Sequence, residues 1–202
     1  MKLTLTEFVS LDGVYQAPGG PEEDPTGNFT QGGWTFPFDD DDFGAFVVEN
    51  FSRVEAFLLG RRTYDIFAGY WPKHTDPADP VAGPLNSLPK YVASRTLTSA
   101  DWAGARVIGG DDLVKDVTAL KEQPGGELQI HGSGALARFL LRHDLIDTVH
   151  LMTFPVVLGA GRRLFEEGAV PTAFRNTATR VTGKGVVISS YDLDGRPAYG
   201  TF

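Results

Sequence analysis

The segment Leu128-Gln129-Ile130-His131-Gly132-Ser133-Gly134-Ala135-Leu136-Ala137-Arg138-Phe139-Leu140 decides how the rest of the chain is read. It opens as a short apolar run fit for a buried strand and closes with apolar residues at helical spacing. Between the two stand only two glycines and a serine. A strand that passes directly into a helix leaves the first helical N–H groups unpaired and places the positive end of the dipole there. Glycine at such a turn lets a pyrophosphate approach the backbone without meeting a Cβ. Gly132-x-Gly134-x-x-Ala137 also matches the spelling of a dinucleotide fingerprint. The acid that would hold a ribose about 20 residues on is absent, because that region reads Leu151-Met152-Thr153. A tight strand-to-helix turn that merely needs small residues accounts for the same letters.

The arrangement recurs upstream. Leu58-Leu59-Gly60-Arg61-Arg62-Thr63-Tyr64 is again apolar strand, glycine and helix start, now with two guanidinium groups, and Val92-Ala93-Ser94-Arg95-Thr96 ends a strand on a hydroxyl and a third arginine. Arginine presents a planar fork that fits phosphate. Ligands of open α/β sheets bind outside the carboxyl ends of strands, so these three ends are expected to converge on one site. Several arginines at the nucleotide end suit an additional 2′-phosphate, which favours NADP over NAD. Taken singly, each arginine is as well explained by a surface ion pair.

The remaining periodicities complete an order. Residues 3–9 alternate as a strand; 43–53 and 61–67 have helical spacing; 55–59, 90–94, 105–108, 127–131 and 147–154 read as strands. Asp111 or Asp112 caps a helix running to Lys121, and Ser133-Gly134 opens another to about His143. Residues 172–181 and 184–191, joined across Thr182-Gly183, read as an antiparallel pair. Strand and helix alternate as far as about residue 154 and strands alone follow. That order predicts one α/β domain over residues 1–202, with a mainly parallel sheet and an antiparallel C-terminal edge. Residues 14–42, rich in proline and glycine, form a long irregular stretch of the kind used for lids and binding loops; Tyr15, Phe29, Trp34, Phe36 and Phe38 within it either tack it to the body or wall a pocket.

Composition narrows the function. The 202 residues hold 18 basic and 26 acidic side chains, a net charge of -8, which disfavours nucleic acid or an anionic membrane as partner. Cysteine is absent, which excludes disulfides, thiolate zinc and a cysteine nucleophile. His74, His131, His143 and His150 are scattered with no metal-ligand spacing, so no metal site is expected. No Gly-x-Ser-x-Gly elbow occurs. The N-terminus lacks the apolar core of a signal peptide, and a cytoplasmic location is the default expectation.

Four motifs in order, Phe8-Val9-Ser10-Leu11-Asp12-Gly13, Leu59-Gly60-Arg61-Arg62-Thr63-Tyr64, Ile130-His131-Gly132-Ser133-Gly134 and Val156-Val157-Leu158-Gly159-Ala160-Gly161, resemble the dihydrofolate-reductase-like superfamily. The branch they resemble is the C-terminal reductase domain of the bifunctional riboflavin-biosynthesis deaminase/reductase. The resemblance runs from residue 3 to about 191 and implies an eight-stranded mixed sheet that binds NADPH, often in a homodimer. Carried over by position, it implies that Gly60, Arg61, Arg62 and Thr63 hold the NADPH phosphates. Ser94 and Arg95 would grip the adenosine 2′-phosphate, and Gly132, Ser133, Gly134 and Ala135 would lie under the pyrophosphate. Asp12 falls at the nicotinamide and substrate end, and residues 14–38 replace the mobile loop over the active site.

Dihydrofolate reductases keep a carboxylate on the first helix. Here Asp42 is the nearest candidate, two residues out of step and among neighbouring aspartates that equally suit a solvated acidic helix start. The supporting threonine falls near Met152 or Thr153, and the aromatic after the glycines is Leu136, so folate is not the expected substrate. The reading is an NADPH-dependent reductase for a small heterocyclic molecule, pterin-like or ribosylaminopyrimidine-like, with Asp12 and Asp42 nearest the chemistry and Trp34, Phe36 and Phe46 as pocket walls. The alternative is a non-catalytic NADP-binding sensor or dimeric scaffold, which shares every cofactor feature.

Overall fold

Alternation builds the first strand. In β1 (Lys2–Ser10) Leu3, Leu5 and Val9 enter one apolar cluster, while Thr4, Thr6 and Phe8 turn to the opposite face. The chain continues through α1 (Asp41–Phe51), β2 (Val54–Gly60), α2 (Arg61–Tyr70), α3 (Ala82–Ser87), β3 (Lys90–Ala93) and β4 (Ala105–Ile108). Then come α4 (Leu113–Lys121), β5 (Glu127–His131), α5 (Gly134–Arg142), β6 (Thr148–Phe154), β7 (Phe174–Val181) and β8 (Val187–Leu193). The structure is a computed structural model describing residues 1–76 and 78–201.

One eight-stranded sheet has the order β4-β3-β2-β5-β1-β6-β8-β7. Its pairings from β4 to β6 are parallel, whereas β8 runs antiparallel to both β6 and β7. The mainly parallel sheet with an antiparallel C-terminal edge is therefore as the sequence order predicts. Helices cover both faces. Leu136, Ala137, Leu140 and Leu141 of α5 and Val117 and Leu120 of α4 pack on Leu3, Leu5, Leu58, Leu128 and Ile130. Each fully buried leucine contributes roughly 1.5–3 kcal/mol.

The other face lies under α1 and α3 and carries a polar layer. Asn50 Nδ2 donates to Thr6 Oγ1 at 3.0 Å, the Gln129 amide donates to Asn50 O and to Glu127, and Arg53 Nε donates to Glu127 at 2.8 Å. Pairing lets these buried polar groups be tolerated beneath a helix.

The helix starts follow local chemistry. Asp40 accepts from Phe43 N–H at 2.8 Å and Asp112 from Lys115 N–H at 3.0 Å, so Asp112 rather than Asp111 caps α4. Residues 72–89 hold five prolines and show no helical spacing, so from the sequence they read as loop. The structure forms α3 there, its start held by Asp79, which accepts from Val81 and Ala82 N–H. So short a helix depends on packing, and Leu85 fixes it by burial against Phe57, Leu59, Val92 and Trp102.

Candidate cofactor and active site

Strand register brings the three glycine- or serine-bearing ends to one rim. Gly60 pairs with Ala93, and Phe57 pairs with Gln129, so the turns after β2, β3 and β5 leave the sheet side by side. β1 joins them, with Thr6 opposite His131.

Ser133 links two of these turns. Its Oγ accepts from Gly60 N–H at 2.9 Å and donates to Thr63 Oγ1 at 2.8 Å. Gly132 and Ser133 take the left-handed region at φ 59° and 62°, a bend that aims the next N–H groups outward. Ala137 N–H makes the first bond of α5, to Ser133 O at 3.0 Å. The N–H groups of Gly134, Ala135 and Leu136 have no acceptor among the described residues. Three unpaired donors and the helix dipole make this an anion-accepting position. The two glycines are used differently. A Cβ on Gly132 would meet nothing closer than Thr63 Oγ1 at 3.7 Å and Glu7 Oε1 at 4.0 Å, whereas a Cβ on Gly134 would stand 2.5 Å from Tyr15 Cζ. A Cβ on Gly132 would therefore sit in ordinary contact with Thr63 and Glu7, whereas the bare Gly134 admits the Tyr15 ring.

The arginines differ in freedom. Arg61 Nε donates to both carboxylate oxygens of Asp65 at 2.8 Å, one helical turn along. The Arg62 guanidinium lies 3.8 Å from the Asp24 carboxylate, which also pairs with Arg162. Arg95 is exposed after β3, beside Ser94, whose Oγ accepts from Thr96 and Leu97 N–H at 3.2 and 3.0 Å. The loop of residues 14–38 thereby reaches the rim: Tyr15 seats on α5, Asp24 on Arg62, and Trp34 Nε1 donates to Gln16 O at 2.8 Å.

Residues 1–188 match the family described as the RibD C-terminal domain. The chain belongs to that family. Uncharacterized protein YyaP of Bacillus subtilis is 27% identical over 196 residues, covering 96% of each chain. A putative riboflavin biosynthesis protein from Shewanella sp. PV-4 superposes with a TM-score of 0.68 at 24% identity, covering 96% of this chain and 99% of the other. Dihydrofolate reductase from Enterococcus faecalis, solved with NADP(H), superposes with a TM-score of 0.60 at 15% identity over 96% of each chain. The fold is therefore dihydrofolate-reductase-like, as the resemblance implies, and membership of the RibD C-terminal domain family supports a reductase-type domain.

In this member of the RibD C-terminal domain family the two aspartates expected near the chemistry, Asp12 and Asp42, are both hydrogen-bonded to loop backbone. Asp12 accepts from Ser10 Oγ at 2.7 Å, from Leu158 and Gly159 N–H at 3.0 and 2.9 Å and from Arg163 Nη2 at 3.1 Å. The Ser10 hydroxyl and those backbone donors hold its carboxyl far below the usual carboxylate range. It stays ionised and ties the turn after β1 to residues 158–163, so it has no proton to give. Asp42 is exposed on the outer side of α1 and accepts from Gly183 N–H at 3.2 Å, in the β7–β8 turn. The polar side chain that α1 does direct at the sheet is Asn50. Of the pocket walls, Trp34 and Phe46 are core, and Phe36 is 63% exposed.

Two residues near the rim, Asp24 and Glu7, escaped the sequence reading, whereas Tyr15 was among the loop aromatics it named. Asp24 carries no periodic signal, because it acts from an irregular loop. Glu7 does carry one, a carboxylate in the apolar alternation Leu3-Leu5-Glu7-Val9. His131 keeps its ring under α1, tilted against Phe51 with the ring centroids 4.8 Å apart, and its Nε2 is hydrogen-bonded to Gln129 Oε1 at 3.0 Å. Burial pushes its pKa down to about 4, so the ring is neutral. The Gln129 amide nitrogen is spent on Asn50 and Glu127, so its oxygen must accept and His131 must carry the proton on Nε2. Among the described residues no cluster of metal-ligating side chains occurs, and no helix is long and apolar enough to cross a membrane.

Proposed function

We propose that this protein is an NADPH-dependent reductase that transfers a hydride to a small heterocyclic acceptor of the pterin or ribosylaminopyrimidine type. The observation that carries the reading is the shared rim on which the unpaired N–H groups of α5, the Arg61–Arg62 start of α2 and the Ser94–Arg95 end of β3 lie. Membership of the RibD C-terminal domain family and the NADP(H) held by the Enterococcus faecalis enzyme of the same fold support it.

The residues present suit the dinucleotide. The bare backbone of Gly132 has no Cβ to hold a phosphoryl group away, the N–H groups of Gly134 to Leu136 are unpaired among the described residues, and Arg62 and Arg95 supply charge for a 2′-phosphate. Bound NADPH would supply the hydride. Gly132 to Ala135 would hold the pyrophosphate, and Gly60 to Thr63 with Ser94 and Arg95 would hold the adenosine phosphate. Residues 14–38 would shield the acceptor from water, with Tyr15 and Asp24 as the loop's points of attachment to the rim. A small-molecule substrate, assembly as a homodimer and a cytoplasmic location belong to this proposal.

The second reading, a non-catalytic NADP-binding sensor or dimeric scaffold, is favoured by one observation: Asp12 and Asp42 are both engaged in tying backbone segments together. Thermal melts with NADPH and NADH, followed by NADPH oxidation across panels of pterins and ribosylaminopyrimidines, test both. NADPH should raise the melting temperature more than NADH by mass action, and Arg62→Glu with Arg95→Glu should erase the difference. No shift with either nucleotide at millimolar concentration overturns the cofactor assignment. Binding without oxidation across the panels favours the second reading.

A further inference from the structure

β1 carries a carboxyl group where its alternation calls for an apolar side chain. Glu7 shares a face of the sheet with Leu3, Leu5 and Val9, and it is 2% exposed. Its Oε2 is sealed from solvent and has no hydrogen-bond partner among the described residues. The charged groups that face it are Arg138 from α5 and Glu23 from the loop; they act in opposite senses, and neither forms an ion pair with it. Burial outweighs the Phe8 N–H and Arg138, which act the other way, and raises its pKa well above the ordinary value, favouring the protonated acid, the form that has one O–H donor.

The position of this acid is specific. Its Oε1 lies 4.0 Å from where a Cβ on Gly132 would stand, and Thr63 Oγ1 lies 3.7 Å from the same point. Gly132 is thus flanked by one side-chain oxygen from β1 and one from α2, next to the unpaired α5 donors. A carboxylate there would repel an anion, whereas a protonated acid presents a donor to it. A buried carboxyl oxygen without a partner is unfavourable, so the position beside Gly132 is better matched to a neighbour that accepts a hydrogen bond than to none.

We propose that the Glu7 carboxyl group is part of the dinucleotide site and donates its O–H to a phosphoryl oxygen held at the start of α5. This rests on the dinucleotide reading above and adds to it a donor that works only while it keeps its proton. Arg62 and Arg95 answer the charge of the nucleotide, whereas Glu7 answers its position, because its Oε1 lies beside Gly132.

Calorimetric titration of wild type, Glu7→Gln and Glu7→Leu with NADPH, and separately with inorganic pyrophosphate, tests the proposal from mildly acidic to alkaline pH. Wild type is expected to lose about tenfold in affinity for both ligands on alkalinisation, the equivalent of one hydrogen bond to a charged group. Glu7→Gln keeps a donor that cannot ionise, so it should match wild type at low pH and escape that loss. Glu7→Leu should bind about tenfold more weakly throughout. Infrared difference spectra of wild type need no variant to fold: NADPH should shift a protonated carboxyl band that Glu7→Gln lacks. If both variants bind NADPH as wild type does at every pH and no such band moves, Glu7 has no part in the site although the dinucleotide reading stands. If wild type binds neither ligand, that reading and this proposal fall together.

Discussion

Ser133 Oγ accepts a hydrogen bond from Gly60 N–H and donates one to Thr63 Oγ1, joining two helix starts that lie 73 and 70 residues away in the chain. The contact holds the ends of β2 and β5 in one piece, which any ligand spanning both turns requires. Ser133→Ala should lower stability by about 1–3 kcal/mol, since Gly60 N–H and Thr63 lose a partner. Ser133→Gly loses the same bonds but relieves the left-handed backbone at φ 62°, so it should be the less damaging substitution. Urea denaturation of the two variants gives the order.

Asp12 should prove a fastener. Its carboxylate accepts from two backbone N–H groups, a hydroxyl and a guanidinium, and its native pKa is depressed by them. A depressed carboxyl contributes stability above the unfolded value, about 3.9, and loses it as pH falls toward the native value. Wild type should therefore weaken on acidification more steeply than Asp12→Asn, which should be less stable than wild type at neutral pH. Chemical denaturation of both proteins across the acidic range checks the pair of slopes; equal slopes would remove this role.

Asp42 should be nearly dispensable. It is exposed, and its partner is a single backbone N–H in the β7–β8 turn. Asp42→Asn should change stability by less than about 0.5 kcal/mol and leave the NADPH-induced thermal shift unaltered. Loss of that shift would place Asp42 at the cofactor after all.

Lys90 should impose a pH dependence of the same sense as Asp12, but in the alkaline range. Its ammonium is buried, donates to Leu85 and Leu88 carbonyls at 2.6 and 2.7 Å and stands 4.6 Å from the Trp102 ring. Burial pushes its pKa down to about 8. Between that value and the unfolded one near 10.4 the unfolded chain binds more protons, so stability rises with pH, by at most about 1.4 kcal/mol per unit. Lys90→Met should abolish the rise while leaving the remaining profile of urea midpoints in place.

Much of the architecture was legible in residue order. Residues 3–9 and 127–131 have strand periodicity, 43–53 and 113–121 have helical spacing, and Gly-Ser-Gly marks a strand passing directly into a helix. These signals are local, because a strand repeats every two residues and a helix every 3.6, and each buries its apolar side whatever it faces. Even the shared rim was readable, since parallel strands joined by helices must point their carboxyl ends the same way.

The partners of individual side chains were not legible. Nothing in the spacing says that residues 158–163 fold onto Asp12, that Asp42 meets Gly183 N–H in the β7–β8 turn, or that the loop brings Asp24 to Arg62. Helix α3 needed Leu85 to find Phe57 and Trp102, and no periodicity predicted that. Sequence alone determined which of the main strands and helices form, in what order and with which strand ends on one rim, since backbone geometry and apolar spacing act over a few residues. Tertiary structure alone decided which charges are paired, which turn glycine is crowded and which carboxyl is cut off from water, because those depend on groups brought together from distant parts of the chain and on the water they exclude.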